Sequence, residues 1–141
     1  MFPSIRVAIV DDNPTVRMSL RSMLKLEPRL IVVAEVENGS AAIAMVEMLR
    51  PDVVLMDIIM PVMNGIDATR IITSKFPDTK VIVLTMKRDQ AYLDTAYQAG
   101  AFRCLSKCCS PDGLLNAIKE CSSAPLKVVG HPPKYLESDD A

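Results

Sequence analysis

Short, nearly continuous apolar runs alternate along the chain with stretches whose apolar positions recur every three or four residues. The runs fall at Ile5 to Val10, Leu30 to Val36, Val53 to Met56, Val81 to Leu84 and Phe102 to Ser106. Within them VAIV, IVV, VVLM and VIVL do not alternate polar with apolar, as strands with one wet face do. Segments of this kind are expected to be parallel strands covered on both faces.

The stretches between them carry legible helix starts and stops. Asn13 is a cap, and Pro14 takes the first helical position, where its missing N–H costs nothing. Val16, Leu20, Met23 and Leu24 then form one apolar stripe. Asn38-Gly39-Ser40 opens a second helix with Ala42, Val46 and Leu49 facing inward, and Pro51 ends it. Asn64-Gly65 opens a third, which carries Ala68, Ile72 and Phe76 and closes before Pro77. The fourth presents Leu93, Ala96 and Tyr97 and stops at Gly100; Ser110-Pro111 opens the fifth, with Leu114, Ile118 and Cys121.

This (βα)5 pattern predicts a doubly wound α/β fold of the flavodoxin-like type. One parallel sheet in strand order 2-1-3-4-5 would carry helices on both faces, joined by right-handed crossovers. The domain is expected to occupy residues 4–123. Periodicity stops after Ser122, and 124–141, with Pro125, Pro132, Pro133 and an acidic end, reads as a flexible tail or truncated interdomain linker. No internal repeat is present.

Composition narrows the picture. The net charge is −1 and the basic residues are scattered, which argues against direct nucleic-acid binding by this chain alone. No apolar run approaches the roughly 20 residues of a membrane span, and the N-terminal segment lacks the pattern of a secretory leader. A cytoplasmic protein without membrane contact is the expectation. Cys104, Cys108, Cys109 and Cys121 lack zinc-ligand spacing, and His131 lies far from them. They read as reduced thiols, partly buried as small hydrophobes.

In an open α/β sheet, ligands bind beyond the carboxyl ends of the strands, near the switch in strand order. Asp11 and Asp12 follow the first run, Asp57 the third, Thr85 the fourth and Lys107 the fifth. Any one of these could be a solvated loop residue or a cap. Four strand ends carrying charge or hydroxyl together point to a site. Three crowded carboxylates need a cation, and hard oxygen ligands suit Mg²⁺. A divalent ion and Lys107 would formally balance the three acids and admit an anionic phosphoryl group. Asp57 would then be the carboxylate nucleophile, with Asp12 and Asp57 on the metal and Asp11 holding it through water or from behind. Lys107 would face the phosphoryl oxygens, and Thr85 would donate its hydroxyl to one of them. Met56, Met60, Met63 and Met86 nearby read as gap-filling residues, not as a soft-metal site.

AIVDD, LMDIIMPVMNG, VLTM and LSK, in this order and spacing, resemble the receiver domain of bacterial two-component response regulators. VDDNPTVRMSLRSML and SKCCSPDGLLNAIKE are similar to the NarL/FixJ-type (LuxR-family) subclass. The resemblance spans about Ile5 to Ser122 and implies a CheY-like fold. It implies phosphoryl transfer from a phosphohistidine of a sensor histidine kinase to Asp57. It further implies Mg²⁺ held by Asp11, Asp12, Asp57 and the backbone carbonyl of Ile59, with Thr85 and Lys107 completing the site. Signalling would run through the face of the fourth helix, fifth strand and fifth helix, which also permits a homodimer. Such a domain acts only on its own phosphorylation and dephosphorylation and is otherwise not an enzyme.

Four positions depart from that pattern. Cys104 stands where receivers place a switching aromatic, and reads as core packing. Cys108 stands where many carry proline, so no cis-proline bond is expected. Ile59 and Lys87 occupy positions that influence attack by water on the acyl phosphate. Ile59 cannot hydrogen-bond an incoming water, so slow self-dephosphorylation is expected.

Rival readings fare less well. A haloacid-dehalogenase-type phosphatase would need an acid two residues after Asp57, where Ile59 stands. A dinucleotide fold would need a glycine-rich turn after the first strand, where Asp-Asp-Asn-Pro stands. The alternative that survives is a pseudo-receiver, a protein-binding module acting without phosphorylation. NarL/FixJ-type receivers typically precede a helix-turn-helix domain, and none is seen after Ser122. Transcriptional output therefore calls for a longer chain, or for a partner.

Overall fold

The computed structural model describes residues 4–86 and 89–123. Among these, strands β1 (Ile5–Val10), β2 (Leu30–Val36), β3 (Val53–Asp57), β4 (Lys80–Thr85) and β5 (Arg103–Ser106) alternate with helices α1 (Pro14–Leu24), α2 (Gly39–Leu49), α3 (Gly65–Lys75), α4 (Gln90–Gln98) and α5 (Pro111–Ser123). The strands form one parallel sheet in the order β2-β1-β3-β4-β5, as expected. The expected tail, its prolines and His131 lie outside the described residues, as does Lys87. No described helix is long and apolar enough to cross a membrane.

Strand periodicity divides the core in two. Val10, Val54, Met56, Val81 and Val83 pack with Val46, Ile72 and Leu93 of α2, α3 and α4 on one face. Alternate residues of the same strands, Val7, Ile9, Leu55, Ile82 and Leu84, pack with Leu20 and Leu24 of α1 and Leu114 and Ile118 of α5 on the other. Consecutive apolar residues in β1, β3 and β4 therefore each find a covered face, at roughly 1.5–3 kcal/mol for each large side chain buried. The IVV run of β2 does not follow this rule. Ile31 is 46% exposed, and only Leu30 of this strand is fully buried. As an edge strand, β2 has a single neighbour and incomplete helix cover.

Helix starts follow the caps read from the sequence. Asn13 accepts from the Thr15 and Val16 N–H groups, Asn38 from Ala41 and Asn64 from Asp67. Asp89, which carried no strong sequence signal, caps α4 through the Ala91 N–H. Gly100 ends α4 at φ +112°, where a side chain would strike Thr73.

The strand limits need a small correction. β3 and β4 each run one residue beyond their apolar runs, because Asp57 pairs with Leu84 and Thr85 with Ser106. Asp57 and Thr85 are thus the last rungs of the ladder, held by sheet pairing, not by a loop. β5 in turn begins at Arg103 and not at Phe102.

Gly65 fixes the approach of α3 to this edge. Its N–H donates to the Ile58 carbonyl at 2.7 Å. A Cβ there would run into the Asp57 carbonyl, which is backbone and cannot swing away. Gly65→Ala should therefore cost about 3 kcal/mol, read as a drop in the urea midpoint at unchanged m-value.

Candidate functional site

Asp11 continues directly from β1, Asp57 ends the adjacent β3, and Lys107 leaves β5. Both carboxylates lie at the carboxyl edge of the paired central strands. Asp11 and Asp57 are buried and Asp12 is exposed, yet each offers a carboxylate oxygen within 4.8 Å of the others. The Lys107 Nζ lies 2.9 Å from Asp11 Oδ2 and 3.2 Å from Asp57 Oδ1. All of Asp11's polar groups are engaged. Its N–H donates to the Val36 carbonyl at 3.1 Å, and its Oδ1 accepts the Asn13 N–H at 2.9 Å.

Electrostatics shows what this arrangement lacks. Two carboxylates some 4 Å apart repel by about 4 kcal/mol at an effective dielectric constant near 20. Burial, and then the charge of Asp11, push the Asp57 carboxyl above its ordinary pKa, with Lys107 opposing the shift. Burial works against the Lys107 ammonium, but its contacts with Asp11 and Asp57 outweigh that and raise its pKa. One ammonium against three acids leaves the pocket with an excess of negative charge. A hard divalent cation fits both this donor set and its charge.

The remaining expected positions fall around this centre. Thr85 is buried at the end of β4, and its carbonyl accepts the Lys107 N–H at 3.1 Å. Ile59 lies just beyond β3 and is 57% exposed. Asn64-Gly65 is the start of α3 beside Asp57, as expected of a βα loop. Cys104 is fully buried in the core. Its N–H donates to the hydroxyl of buried Tyr97 at 3.2 Å, tying α4 to β5. Burial pushes the Tyr97 phenol up to about 12.

Two expectations divide on inspection. The four cysteines are free thiols, of which Cys104, Cys109 and Cys121 are buried, but Cys108 is exposed. Met56 and Met60 are buried and Met63 half-buried, as gap-fillers should be. Met86 is not: it is 65% exposed, with its Sδ 4.0 Å from Cys108 Sγ. The cause is position, since Met86 follows the last rung of β4 and leaves the sheet.

Sequence reasoning missed Arg17, whose Nη1 donates to the Asp11 carbonyl at 2.7 Å. It also missed the hydroxyl contact of Tyr97, which looked like one member of an apolar stripe. A long-range contact through a guanidinium or phenol leaves no periodic trace.

A pocket of acids and one lysine at the carboxyl edge of a 2-1-3-4-5 sheet is the architecture of a phosphorylation-responsive signalling domain. The chain belongs to the response regulator receiver domain family, whose model matches residues 7–119. It is therefore a receiver domain of two-component response regulators, and the proteins it is similar to include LuxR-family response regulators and protein-glutamate methylesterases. It is 40% identical over 115 residues to the transcriptional regulatory protein DegU of Brevibacillus brevis, covering 82% of this chain and 49% of DegU. It is 42% identical over 114 residues to the transcriptional regulatory protein LnrK of Bacillus subtilis, covering 81% and 52%. The chain thus spans about half the length of these curated relatives. Among solved structures, it is similar to the signal receiver domain of the putative response regulator NarL from Mycobacterium tuberculosis. That match has a TM-score of 0.83 and 28% identity, covering 88% of this chain and 100% of the other.

The raised Asp57 pKa has a consequence for metal-free protein. A carboxyl whose folded pKa lies above its unfolded value contributes stability below the unfolded pKa, and that contribution is lost as pH rises through the folded pKa. In chelator at neutral pH, Asp57→Asn should melt higher than wild type. The gain should shrink as pH falls through the carboxylate range, and thermal melts across that range would reverse the idea if the gain grew.

Proposed function

We propose that Asp57 accepts a phosphoryl group from the phosphohistidine of a sensor histidine kinase. The observation that carries this reading is the Lys107 ammonium lying between the Asp11 and Asp57 carboxylates in a buried acidic pocket. In the transfer, an Asp57 oxygen forms a bond to phosphorus while the phosphorus–nitrogen bond to imidazole breaks, and the departing imidazole keeps the electron pair. Asp11, Asp12, Asp57 and the Ile59 carbonyl would hold Mg²⁺, which supplies neutralisation of the charge on the phosphoryl oxygens. Lys107 shifts from its carboxylate partners toward the new anion, and the Thr85 hydroxyl donates to it. The protein acts chemically on its own acyl phosphate alone.

Phosphoryl delivery needs a docking surface beside the acids. An apolar groove of about 490 Å³, lined by Val16, Leu20, Met86, Lys107 and Leu114, opens there between α1 and α5. The phosphorylated state would be read at the α4-β5-α5 face, by a partner, by a second copy, or by a DNA-binding domain such as a transcriptional regulator carries. Cytoplasmic action and a domain occupying 4–123 complete the reading, with 124–141 as tail or linker.

Incubation with acetyl phosphate and Mg²⁺, followed by intact mass, tests the acceptor. Wild type should gain one phosphoryl group, and Asp57→Asn none. No adduct on wild type would leave the domain a phosphorylation-independent binding module. Once formed, the adduct should be long-lived, because the exposed Ile59 side chain cannot hydrogen-bond an attacking water. Ile59→Asn should shorten the lifetime about tenfold, less than the roughly hundredfold of a true general base, because an amide orients the water without taking its proton; equal lifetimes would sink this explanation.

A further inference from the structure

We infer that Arg17, on α1, is a positioning residue for the cation site, acting through the Asp11–Asp12 peptide. The inference rests on the acidic cluster being a Mg²⁺ site. Asp12 is the exposed member of that cluster, and among the described residues no neighbour clamps its carboxylate as Lys107 and Asn13 clamp that of Asp11. What directs it is the backbone preceding it, and the plane of the Asp11–Asp12 peptide is set by where the Asp11 carbonyl points. That carbonyl receives the Arg17 Nη1 at 2.7 Å, from a side chain only 19% exposed.

The guanidinium is itself restrained. Its Nε lies 3.7 Å from Glu35 Oε1 on β2, and the same carboxylate takes a two-pronged contact from Arg21 at 2.7 and 3.1 Å. The Arg21 hydrogen bond keeps the Glu35 carboxyl below its ordinary pKa, so it stays an anion at neutral pH. Arg17 thus spans from the end of β1 to the outer strand. The Asp11 carbonyl is held from outside the loop, while Asn13 holds the Asp11 side chain from within it. Partners behind metal ligands commonly govern affinity in this way.

The sign of the effect separates positioning from simple electrostatics. Arg17 is a cation near a cation site, so by Coulomb repulsion alone its removal would tighten Mg²⁺ binding. Positioning predicts the reverse. Calorimetric titration of Mg²⁺ into the 141-residue chain, without any phosphodonor, should show about tenfold weaker binding for Arg17→Gln. Unchanged or tighter binding overturns the inference. Should Arg17→Gln fail to fold by circular dichroism, Arg17→Lys decides: it keeps the charge without the planar fork, so weaker binding supports positioning and wild-type binding overturns it. Wild type that takes up no Mg²⁺ at all would instead overturn the metal reading of the acidic cluster.

Discussion

Two buried carboxylates at the carboxyl edge of one sheet repel, and the Lys107 ammonium between them is what makes the site tolerable. Its contacts, at 2.9 and 3.2 Å, connect segments far apart in sequence: the end of β1, the end of β3 and the turn after β5. The compensation is incomplete, because burial and Asp11 still hold the Asp57 carboxyl above its usual range. A pocket left short of positive charge is poised for a cation. Once the cation is present, it has room for an anion as well. On the reading proposed above, the imbalance that costs stability in metal-free protein would be the source of affinity for a cation.

That arrangement requires the strands to end in register. Parallel pairing places Asp57 beside Leu84 and Thr85 beside Ser106, so the ladder itself brings acid, hydroxyl and lysine-bearing segment to one edge. Helix α3 then has to start close against Asp57, which only a residue without a side chain at position 65 allows. Sheet register, the Gly65 approach and the lysine bridge constrain one another. A shift of one residue in β5 would move Lys107 by about 3.3 Å, enough to break both of its contacts.

Much of this could be read from residue order, because the signals were periodic or local. Continuous apolar runs without polar alternation marked the central strands, asparagine caps marked α1 to α3, and polar residues at run ends marked the acids, Thr85 and Lys107. Edge position was not local information, so β2 read as doubly covered when Ile31 is in fact exposed. Nor was exposure within a residue class: Met86 and Cys108 look like their buried neighbours in sequence and differ only in where the sheet stops. Arg17 and Tyr97 escaped for a further reason. Each acts through the tip of a long side chain on a backbone group, and such a contact depends on tertiary geometry that composition does not encode.

Tyr97 also changes how the small side chain at Cys104 is understood. A thiol there has no ring to rotate, yet the space is not left to packing alone, because the Tyr97 hydroxyl reaches the Cys104 N–H from α4. Breaking that contact would strand a buried donor or acceptor, at a cost on the order of 1–3 kcal/mol. A displacement of β5 at Cys104 therefore carries α4 with it, or meets that resistance. Lys107 lies three residues further along the same segment and is bonded through its N–H to Thr85. Strand backbone and one phenol thus connect the segment that carries Lys107 to α4.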